Sequence, residues 1–238
     1  MTERLLSDIE YNYKTICENI AAAAESSGRK KEDITFLAAT KTVEAEYINY
    51  AISLGLDHIG ENRVQELLSK YEAYNLERTK LHMIGHLQSN KVRQIVGKVD
   101  MIESVDSIKL AKEISAQSLK REITTDVLVE VNIGGEESKS GISPEMLEDL
   151  LCEIAELPSI KVQGLMTIPP ICENKQKICG YFENMRKLFI DISAKKIDNI
   201  SMNVLSMGMS DDYVEAIREG ATMVRIGSAL FGARNYNI

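Results

Sequence analysis

The strongest constraint on the fold is an alternation between short apolar segments and longer segments with helical periodicity. About eight segments read as β-strands, at residues 34–40, 58–60, 81–85, 101–105, 126–133, 162–168, 203–207 and 222–227. Strict alternation of strands and helices predicts parallel strands joined by right-handed crossovers. Eight such units in 238 residues favour an α/β fold closed into a single (β/α)8 TIM-type barrel. An open doubly wound sheet is the alternative.

An additional helix is expected before the first strand. Apolar side chains recur there at spacings of three or four residues, at Leu5, Ile9, Tyr13, Ile16 and Ile20. This stripe predicts a helix within residues 1–27 that packs on the barrel, and Ser26-Ser27-Gly28 marks its end. Because no low-complexity linker divides the chain, we expect residues 1–238 to form one domain.

Composition and charge narrow the class of protein. An apolar fraction of 44% and a charged fraction of 27% are ordinary for soluble globular proteins. The net charge of −8 disfavours a nucleic-acid partner, since that affinity rests on clustered positive charge. No window approaches the roughly 18 apolar residues of a membrane span, and the charged N-terminus lacks the apolar centre of a signal peptide. We therefore expect a cytoplasmic protein without a membrane partner. In the absence of an exposed heptad pattern, we expect a monomer.

Neither the cysteines nor the histidines indicate a metal site. The 4 cysteines form no C-x-x-C pair, and we expect them to be reduced thiols. The 3 histidines are His58, His82 and His86. His82 and His86 would lie more than about 12 Å apart along a strand, too far to share a metal. His86 could donate a hydrogen bond to a ligand, or it could be satisfied by loop backbone.

Lys41 is the first candidate for chemistry, because it follows an apolar strand at the barrel face where active sites form. Burial lowers a lysine pKa, and a neutral amine attacks an aldehyde to form an imine. The alternatives are a lysine that extends to the surface or one that pairs with Glu61.

Two further motifs lie at late strand ends, where such barrels often bind phosphate. Residues 203–212 read N-V-L-S-M-G-M-S-D-D, so a glycine and free amide groups precede a helix, although Gly208 could simply make the turn. Residues 224–232 read V-R-I-G-S-A-L-F-G and place Arg225 inside the last strand. A buried guanidinium needs an electron-rich partner, which could be a ligand or a barrel carboxylate such as Glu130 or Glu103.

These motifs together resemble the YggS/PROSC-type pyridoxal phosphate homeostasis family, whose barrel is similar to the N-terminal domain of alanine racemases. The matching stretches are L-A-A-T-K-T (37–42), I-G-E-N-R-V-Q-E (59–66), H-M-I-G-H-L-Q-S-N-K (82–91), E-S-K-S-G (137–141), G-L-M-T-I (164–168), L-S-M-G-M-S-D-D (205–212) and V-R-I-G-S-A-L-F-G (224–232). They extend over nearly the whole chain. The family often has serine and threonine where this chain has Thr40 and Ser228, which keeps a hydroxyl at each position. At position 86 the family can have proline.

The resemblance implies that pyridoxal 5′-phosphate (PLP) is the cofactor and that Lys41 forms its internal aldimine. It also assigns the remaining cofactor-binding positions. Ser206, Gly227 and Ser228 would contact the phosphate, and Arg225 would face the pyridine nitrogen. Asn62, His86, Met209 and Ser210 would line the site. Lys139 matches a lysine discussed as a secondary cofactor contact.

The same resemblance favours a protein that holds, buffers and delivers PLP, without a dedicated catalytic activity. Alanine-racemase-like enzymes use a second, all-β domain and a tyrosine from the partner subunit, whereas this sequence ends at Ile238, soon after its last strand. Racemization needs two bases on opposite faces of the α-carbon, and only Lys41 is identifiable. PLP-dependent apo-enzymes are the expected transient partners. The alternatives are a PLP enzyme with weak racemase or transaminase activity, and an aldolase-like barrel in which Lys41 attacks a sugar carbonyl.

Overall fold

A closed barrel of parallel strands forms the centre of the computed structural model, which describes residues 5–136, 139–172 and 174–232. Its strands follow chain order around the barrel. They are β1 (Thr35–Ala39), β2 (His58–Glu61), β3 (Lys80–Met83), β4 (Met101–Val105), β5 (Thr125–Glu130), β6 (Ile160–Met166), β7 (Ile200–Ser206) and β8 (Met223–Ile226). Strand β8 pairs with β1, with Leu37 opposite Arg225. The predicted (β/α)8 barrel is confirmed, and the open doubly wound sheet is wrong.

A helix follows each strand and one more precedes β1, and together these helices cover the outside of the barrel. In the described residues they are α1 (Leu6–Ser26), α2 (Ala45–Ser53), α3 (Val64–Lys70), α4 (Val92–Ile95), α5 (Ile108–Leu119), α6 (Leu147–Ala155), α7 (Lys175–Lys195), α8 (Tyr213–Arg218) and α9 (Ser228–Phe231). Local sequence explains several of their starts. The Asn174 side chain accepts hydrogen bonds from the first turn of α7, and Ser107 does so for α5. Pro144 begins a short 3-10 turn that leads into α6.

Apolar and polar side chains divide between the two faces of the strands. Outward residues such as Ala38, Ile59 and Leu81 are fully buried in the core shared by sheet and helices. Inside the barrel, Leu37, Ile84 and Met223 form a separate small apolar cluster. Other buried interior positions carry polar or charged groups, which are His82, Glu103, Ser206 and Arg225. Polar and charged side chains therefore occupy a large part of the barrel interior.

Helix α1 packs against α8 and α9 on the outside of the barrel. Its buried stripe includes Ile9, Ile16 and Ile20, as the sequence predicts, whereas Leu5 precedes the helix and is 52% exposed. Polar contacts reinforce the packing. The Asn12 amide donates to the carbonyl of Leu230 at 3.1 Å, and the Arg29 guanidinium donates to the carbonyls of Ala221 and Ile217. The predicted additional helix is confirmed, apart from the exposed position of Leu5.

Within residues 5–136, 139–172 and 174–232, none of the helices combines the length and apolar character that a bilayer span requires. All of the cysteines, Cys17, Cys152, Cys172 and Cys179, are free thiols.

The packing of α1 predicts a stability effect that depends on the face of the helix. Ile20→Ala removes a side chain that is 2% exposed, and we expect it to lower the free energy of unfolding by about 2 to 5 kcal/mol. Tyr11 is 71% exposed on the same helix, so Tyr11→Ala should change that free energy by less than about 0.5 kcal/mol. Urea unfolding followed by circular dichroism measures both. Equal effects from the two variants would contradict the packing of α1 on the barrel.

Candidate functional site

A pocket of about 140 Å³ opens where the C-terminal ends of β1 and β8 meet the loop after β7. It brings together most of the site residues predicted from sequence. These are Lys41, Met209, Ser210, Arg225, Gly227 and Ser228. The C-terminal strand ends of a (β/α)8 barrel are the usual place for an active or binding site, so the position agrees with the fold.

Lys41 lies just beyond the end of β1, in a tightly constrained turn. The Thr40 amide still pairs with Gly60 of β2 at 2.9 Å, so the strand register extends to the residue before Lys41. Thr42 then adopts a positive φ of 61°, which is costly for a β-branched residue. The amide of Val43 closes the turn on the carbonyl of Thr40 at 3.1 Å. Lys41 is half-buried at the pocket wall.

The carboxylate of Glu61, proposed above as an alternative partner for Lys41, is occupied by other donors. Its Oε1 accepts hydrogen bonds from the Thr40 hydroxyl at 2.7 Å, Lys70 Nζ at 3.0 Å and the Tyr74 hydroxyl at 2.6 Å. Its Oε2 is buried and has no hydrogen-bond partner in the described structure. Burial raises the pKa of Glu61, and the charge of Lys70 opposes that shift.

Arg225 lies inside the barrel with 3% of its surface exposed, and it forms one wall of the pocket. Its Nη2 donates to the carbonyl of Thr167 at 2.8 Å, and its Nη1 donates to the hydroxyl of Ser206. Glu103 Oε2 is 3.9 Å from Nη1. Of the two carboxylates proposed as partners, Glu103 therefore contacts the guanidinium, both directly and through Ser206.

Glu103 connects Arg225 to a histidine deeper in the barrel. Its Oε1 is 2.7 Å from His82 Nδ1, and its Oε2 accepts a hydrogen bond from Ser206 at 2.7 Å. Burial alone would raise the pKa of Glu103, but the hydrogen bond with His82 and the positive charge of Arg225 outweigh it and hold the pKa below its ordinary value. The interior therefore holds an ionised carboxylate next to the guanidinium.

The opposite wall carries groups that can bind an anion. Ser210 Oγ accepts hydrogen bonds from the amides of Gly227 at 3.2 Å and Ala229 at 3.1 Å, which ties the loop after β7 to the start of α9. A Cβ on Gly227 would lie 3.0 Å from the carbonyl oxygen of Ala39, so glycine permits the close approach of β8 to β1. Gly208 has φ 92°, and a Cβ there would lie 2.5 Å from Ala216 Cβ. These two amides are engaged by Ser210, so the hydroxyls of Ser210 and Ser228 supply the donors on this wall that suit a phosphate.

Three predicted residues lie outside the pocket lining. Ser206 is fully buried in the barrel interior, where it bridges Glu103 and Arg225. Asn62 follows β2, and its Oδ1 is buried without a hydrogen-bond partner in the described structure. The His86 side chain is 56% exposed, with Nδ1 3.7 Å from Asp106. Direct contact of these residues with a cofactor stays a prediction.

Several lining residues were not singled out from the sequence. They are Ala39, Thr42, Val43, Asp211, Phe231 and Gly232. All of them except Val43 lie within the matching stretches given above, and Val43 directly follows one. Their closeness in sequence to Lys41, Ser210 and Ser228 is the signal that could have found them. Lys139 does not line this pocket, and its Nζ donates to the carbonyl of Pro169 at 2.9 Å. Glu137 and Ser138 of its E-S-K-S-G motif lie outside the described residues.

Two histidines, His58 and His82, contact each other in the barrel, although their spacing in the sequence does not indicate this contact. The rings of His58 and His82 pack edge to face with centroids 5.5 Å apart. Among the residues that the structure describes, no group of three or more His, Cys, Asp or Glu side chains is arranged to hold a metal ion.

Comparison with known proteins identifies the family. Residues 9–235 match the family described as alanine racemase, N-terminal domain. The pyridoxal phosphate homeostasis protein of Aquifex aeolicus (strain VF5) is 47% identical over 221 residues, which is 93% of this chain and 96% of that protein. The protein of the same name from Escherichia coli (strain K12) is 37% identical over 235 residues, covering 98% and 99%. The chain belongs to the pyridoxal phosphate homeostasis family. The family resemblance inferred from the motifs is confirmed.

Solved structures agree with this family membership. A Bifidobacterium adolescentis protein described as unknown superposes with a TM-score of 0.90 at 40% identity, covering 95% of each chain. PipY of Synechococcus elongatus, solved with PLP bound, has a TM-score of 0.78 at 30% identity, covering 90% of this chain and 100% of PipY. An alanine racemase of Clostridium difficile has a TM-score of 0.72 at 18% identity, covering 95% of this chain and 60% of that enzyme, and shows the shared barrel.

The burial of Glu130, at the end of β5, predicts that the stability of the protein depends on pH. Burial, together with the charge of Asp106, raises its pKa to about 7, and Arg225 opposes the shift. Between its ordinary pKa of 4.5 and pH 7, the folded state therefore binds more protons than the unfolded state. The stability contribution of this group is present at low pH and is lost as the pH rises to about 7.

Replacing Glu130 by glutamine tests this pH dependence. At pH 5 the protonated side chain resembles glutamine, so we expect similar unfolding free energies for the variant and the wild type. At pH 8 we expect Glu130→Gln to be more stable, by about 1 to 3 kcal/mol. Urea unfolding at both pH values measures the difference. The control is Glu153→Gln on the exposed face of α6, which should follow the wild-type profile. Parallel profiles for Glu130→Gln and wild type would contradict the assignment.

Proposed function

We propose that this chain binds PLP in the pocket between β1 and β8, covalently through Lys41, and that it buffers and delivers the cofactor within the cell. The main support for this proposal is that three chemical groups meet in one pocket. These are the Lys41 amine, the Arg225 guanidinium and the hydroxyl and amide cluster around Ser210 and Ser228. The names of the relatives and the PLP-bound structure of PipY support the same cofactor.

The donor set of the pocket fits the functional groups of PLP. A lysine amine suits the aldehyde, and the hydroxyls of Ser210 and Ser228 suit the phosphate. When bound, PLP supplies an electron sink for carbanion chemistry, whose strength depends on protonation of its ring nitrogen. Arg225 keeps its own protons, so a guanidinium facing that nitrogen leaves it unprotonated. We propose this role for Arg225, with Ser206 and Glu103 holding the guanidinium in place.

The composition of the lining favours a carrier over a dedicated enzyme. Racemization and transamination need well-placed proton donors and acceptors in addition to the lysine. Among the described lining residues, Asp211 is the carboxylate present, and the lining includes no histidine, cysteine or tyrosine. We therefore propose that the chain holds PLP without a dedicated reaction. PLP-dependent apo-enzymes are the proposed recipients, and a cytoplasmic monomer is the proposed working form.

The covalent attachment is tested first. We expect the purified protein incubated with PLP to absorb in the visible, to lose that band on borohydride reduction, and to carry the label on Lys41 in peptide mapping. Lys41→Met should abolish the band. Lys175→Met is the control, because Lys175 is 81% exposed and does not line this pocket. A label on Lys139 instead of Lys41, or no label at all, would contradict the proposed attachment.

The same preparation distinguishes carrier from enzyme. Amino acids incubated with the PLP-loaded protein in deuterium oxide should retain their α-hydrogen over many protein equivalents. Multiple-turnover exchange of that hydrogen, lost in Lys41→Met, would favour the alternative of a PLP enzyme with racemase or transaminase activity. A protein that is colourless with PLP but trapped by borohydride in the presence of a ketose would favour the aldolase-like alternative.

The phosphate assignment makes a separate prediction. Ser228→Ala removes a hydroxyl from the proposed phosphate wall while leaving the backbone amides. We expect it to weaken PLP binding about tenfold or more, since a hydrogen bond to a charged group contributes about 1.5 to 3 kcal/mol. Binding of pyridoxal, which lacks the phosphate, should change little. Spectrophotometric titration with both compounds measures this. Ser201→Ala, at the opposite end of β7, serves as the control. Equal losses for PLP and pyridoxal would contradict a phosphate role for Ser228.

A further inference from the structure

Helix α3 carries an ion pair that contacts the Lys41 turn, although neither member lines the pocket. Glu66 and Lys70 are separated by one helical turn, and their charged atoms are 2.6 Å apart. Glu66 belongs to the I-G-E-N-R-V-Q-E motif, whose carboxylates have no part in the proposed cofactor contacts. The Lys70 side chain is only 15% exposed, and that of Glu66 is 19% exposed. Most of each charged side chain is therefore shielded from solvent.

The Lys70 ammonium has an acceptor for each of its N–H groups. It donates to Glu66 Oε1 at 2.6 Å, to Glu61 Oε1 at 3.0 Å and to the backbone carbonyl of Thr40 at 3.2 Å. The last of these bonds reaches the peptide unit that joins Thr40 to Lys41. Lys70 therefore holds the backbone on the N-terminal side of Lys41.

Glu66 holds the other side of the same residue. Its Oε1 accepts a hydrogen bond from the backbone amide of Thr42. Thr42 is the residue with positive φ, a conformation that costs roughly 1 to 2 kcal/mol for an L-residue with a Cβ. Such a conformation persists where surrounding contacts impose it. Because the two bonds reach the residues on both sides of Lys41, the ion pair constrains the direction in which Lys41 leaves the backbone.

We propose that Glu66 and Lys70 are positioning residues that hold the Lys41 turn so that its amine is directed into the pocket. This inference rests on the proposed function, in which Lys41 is the point of covalent attachment. Attack on an aldehyde carbon depends on the placement of the amine, and displacement of a reacting group by about 1 Å can cost up to a hundredfold in rate. Loss of the constraint should therefore slow the attachment of PLP more than it weakens the phosphate contacts.

Lys70→Met is the principal variant, because it keeps an unbranched side chain and removes both hydrogen bonds that link α3 to Thr40 and Glu61. We expect stopped-flow absorbance to show attachment of PLP about tenfold slower or more. Binding of pyridoxamine 5′-phosphate, which has no aldehyde, should stay within about twofold of wild type, since the phosphate wall is untouched. Lys70→Arg retains a cation with several donors and should recover most of the rate.

Two further variants separate positioning from general stability. Lys70→Met leaves the buried Glu61 carboxylate with one fewer donor, so Lys70→Met combined with Glu61→Gln removes that charge. The double variant still lacks the bond to Thr40 and should remain slow. Lys195→Met removes an exposed pair with Glu148, whose atoms are 2.8 Å apart, and should attach PLP at the wild-type rate. Wild-type rates in Lys70→Met, or recovery of the rate in the double variant, would overturn the proposal.

Amide hydrogen exchange gives a readout that does not require PLP. We expect the Thr42 amide to exchange faster in Lys70→Met than in wild type, because Glu66 loses the partner that orients it. Unchanged protection of Thr42 would overturn the proposal. If wild type attaches no PLP at Lys41, the proposed function fails, and this exchange measurement still decides whether the ion pair holds the turn.

Discussion

Pairing of β1 with β8 is the constraint on which the rest of this structure depends. These strands come from opposite ends of the sequence, and their register sets Leu37 opposite Arg225 and Ala38 opposite Ile226. The next residues along each strand lead to Lys41 and to Ser228, so closure of the barrel creates the pocket between them. Gly227 allows the approach because a side chain there would meet the carbonyl oxygen of Ala39. An open sheet of the same strands would separate the amine from the guanidinium.

Closure also requires the barrel interior to accommodate a permanent cation. A buried guanidinium is tolerated only with hydrogen-bond acceptors and a counter-charge. Ser206 and the carbonyl of Thr167 supply acceptors to Arg225, and Glu103 supplies the negative charge. His82 completes the set by its contact with Glu103. Several interior positions of the barrel therefore hold one buried guanidinium. This is a reason why the apolar cluster inside the barrel is small and the outer core is large.

Much of the fold could be predicted because its signals are local. Short apolar segments and helical periodicity depend on neighbouring residues, and all of the expected strand segments correspond to strands of the barrel. The sequence predictions differ from the structure where tertiary contacts decide which residues are buried and which are paired. Leu5 fits the helical stripe, yet it precedes α1 and is exposed. From the sequence, either Glu130 or Glu103 can be the partner of Arg225, because Glu130 ends β5, Glu103 lies within β4, and both positions could face the barrel interior. Only the barrel register places Glu103 within reach.

The sequence by itself determined the alternation of strands and helices, the polar residues at the strand ends and, through its motifs, the family. The tertiary structure alone decided which of those polar residues contact one another. It placed Ser206 between Glu103 and Arg225, and it brought Glu66 and Lys70 to the turn around Lys41. The physical reason is that hydrogen bonds and ion pairs act over a few ångströms. Partners that are distant in the sequence meet only when strand register and helix packing bring them together.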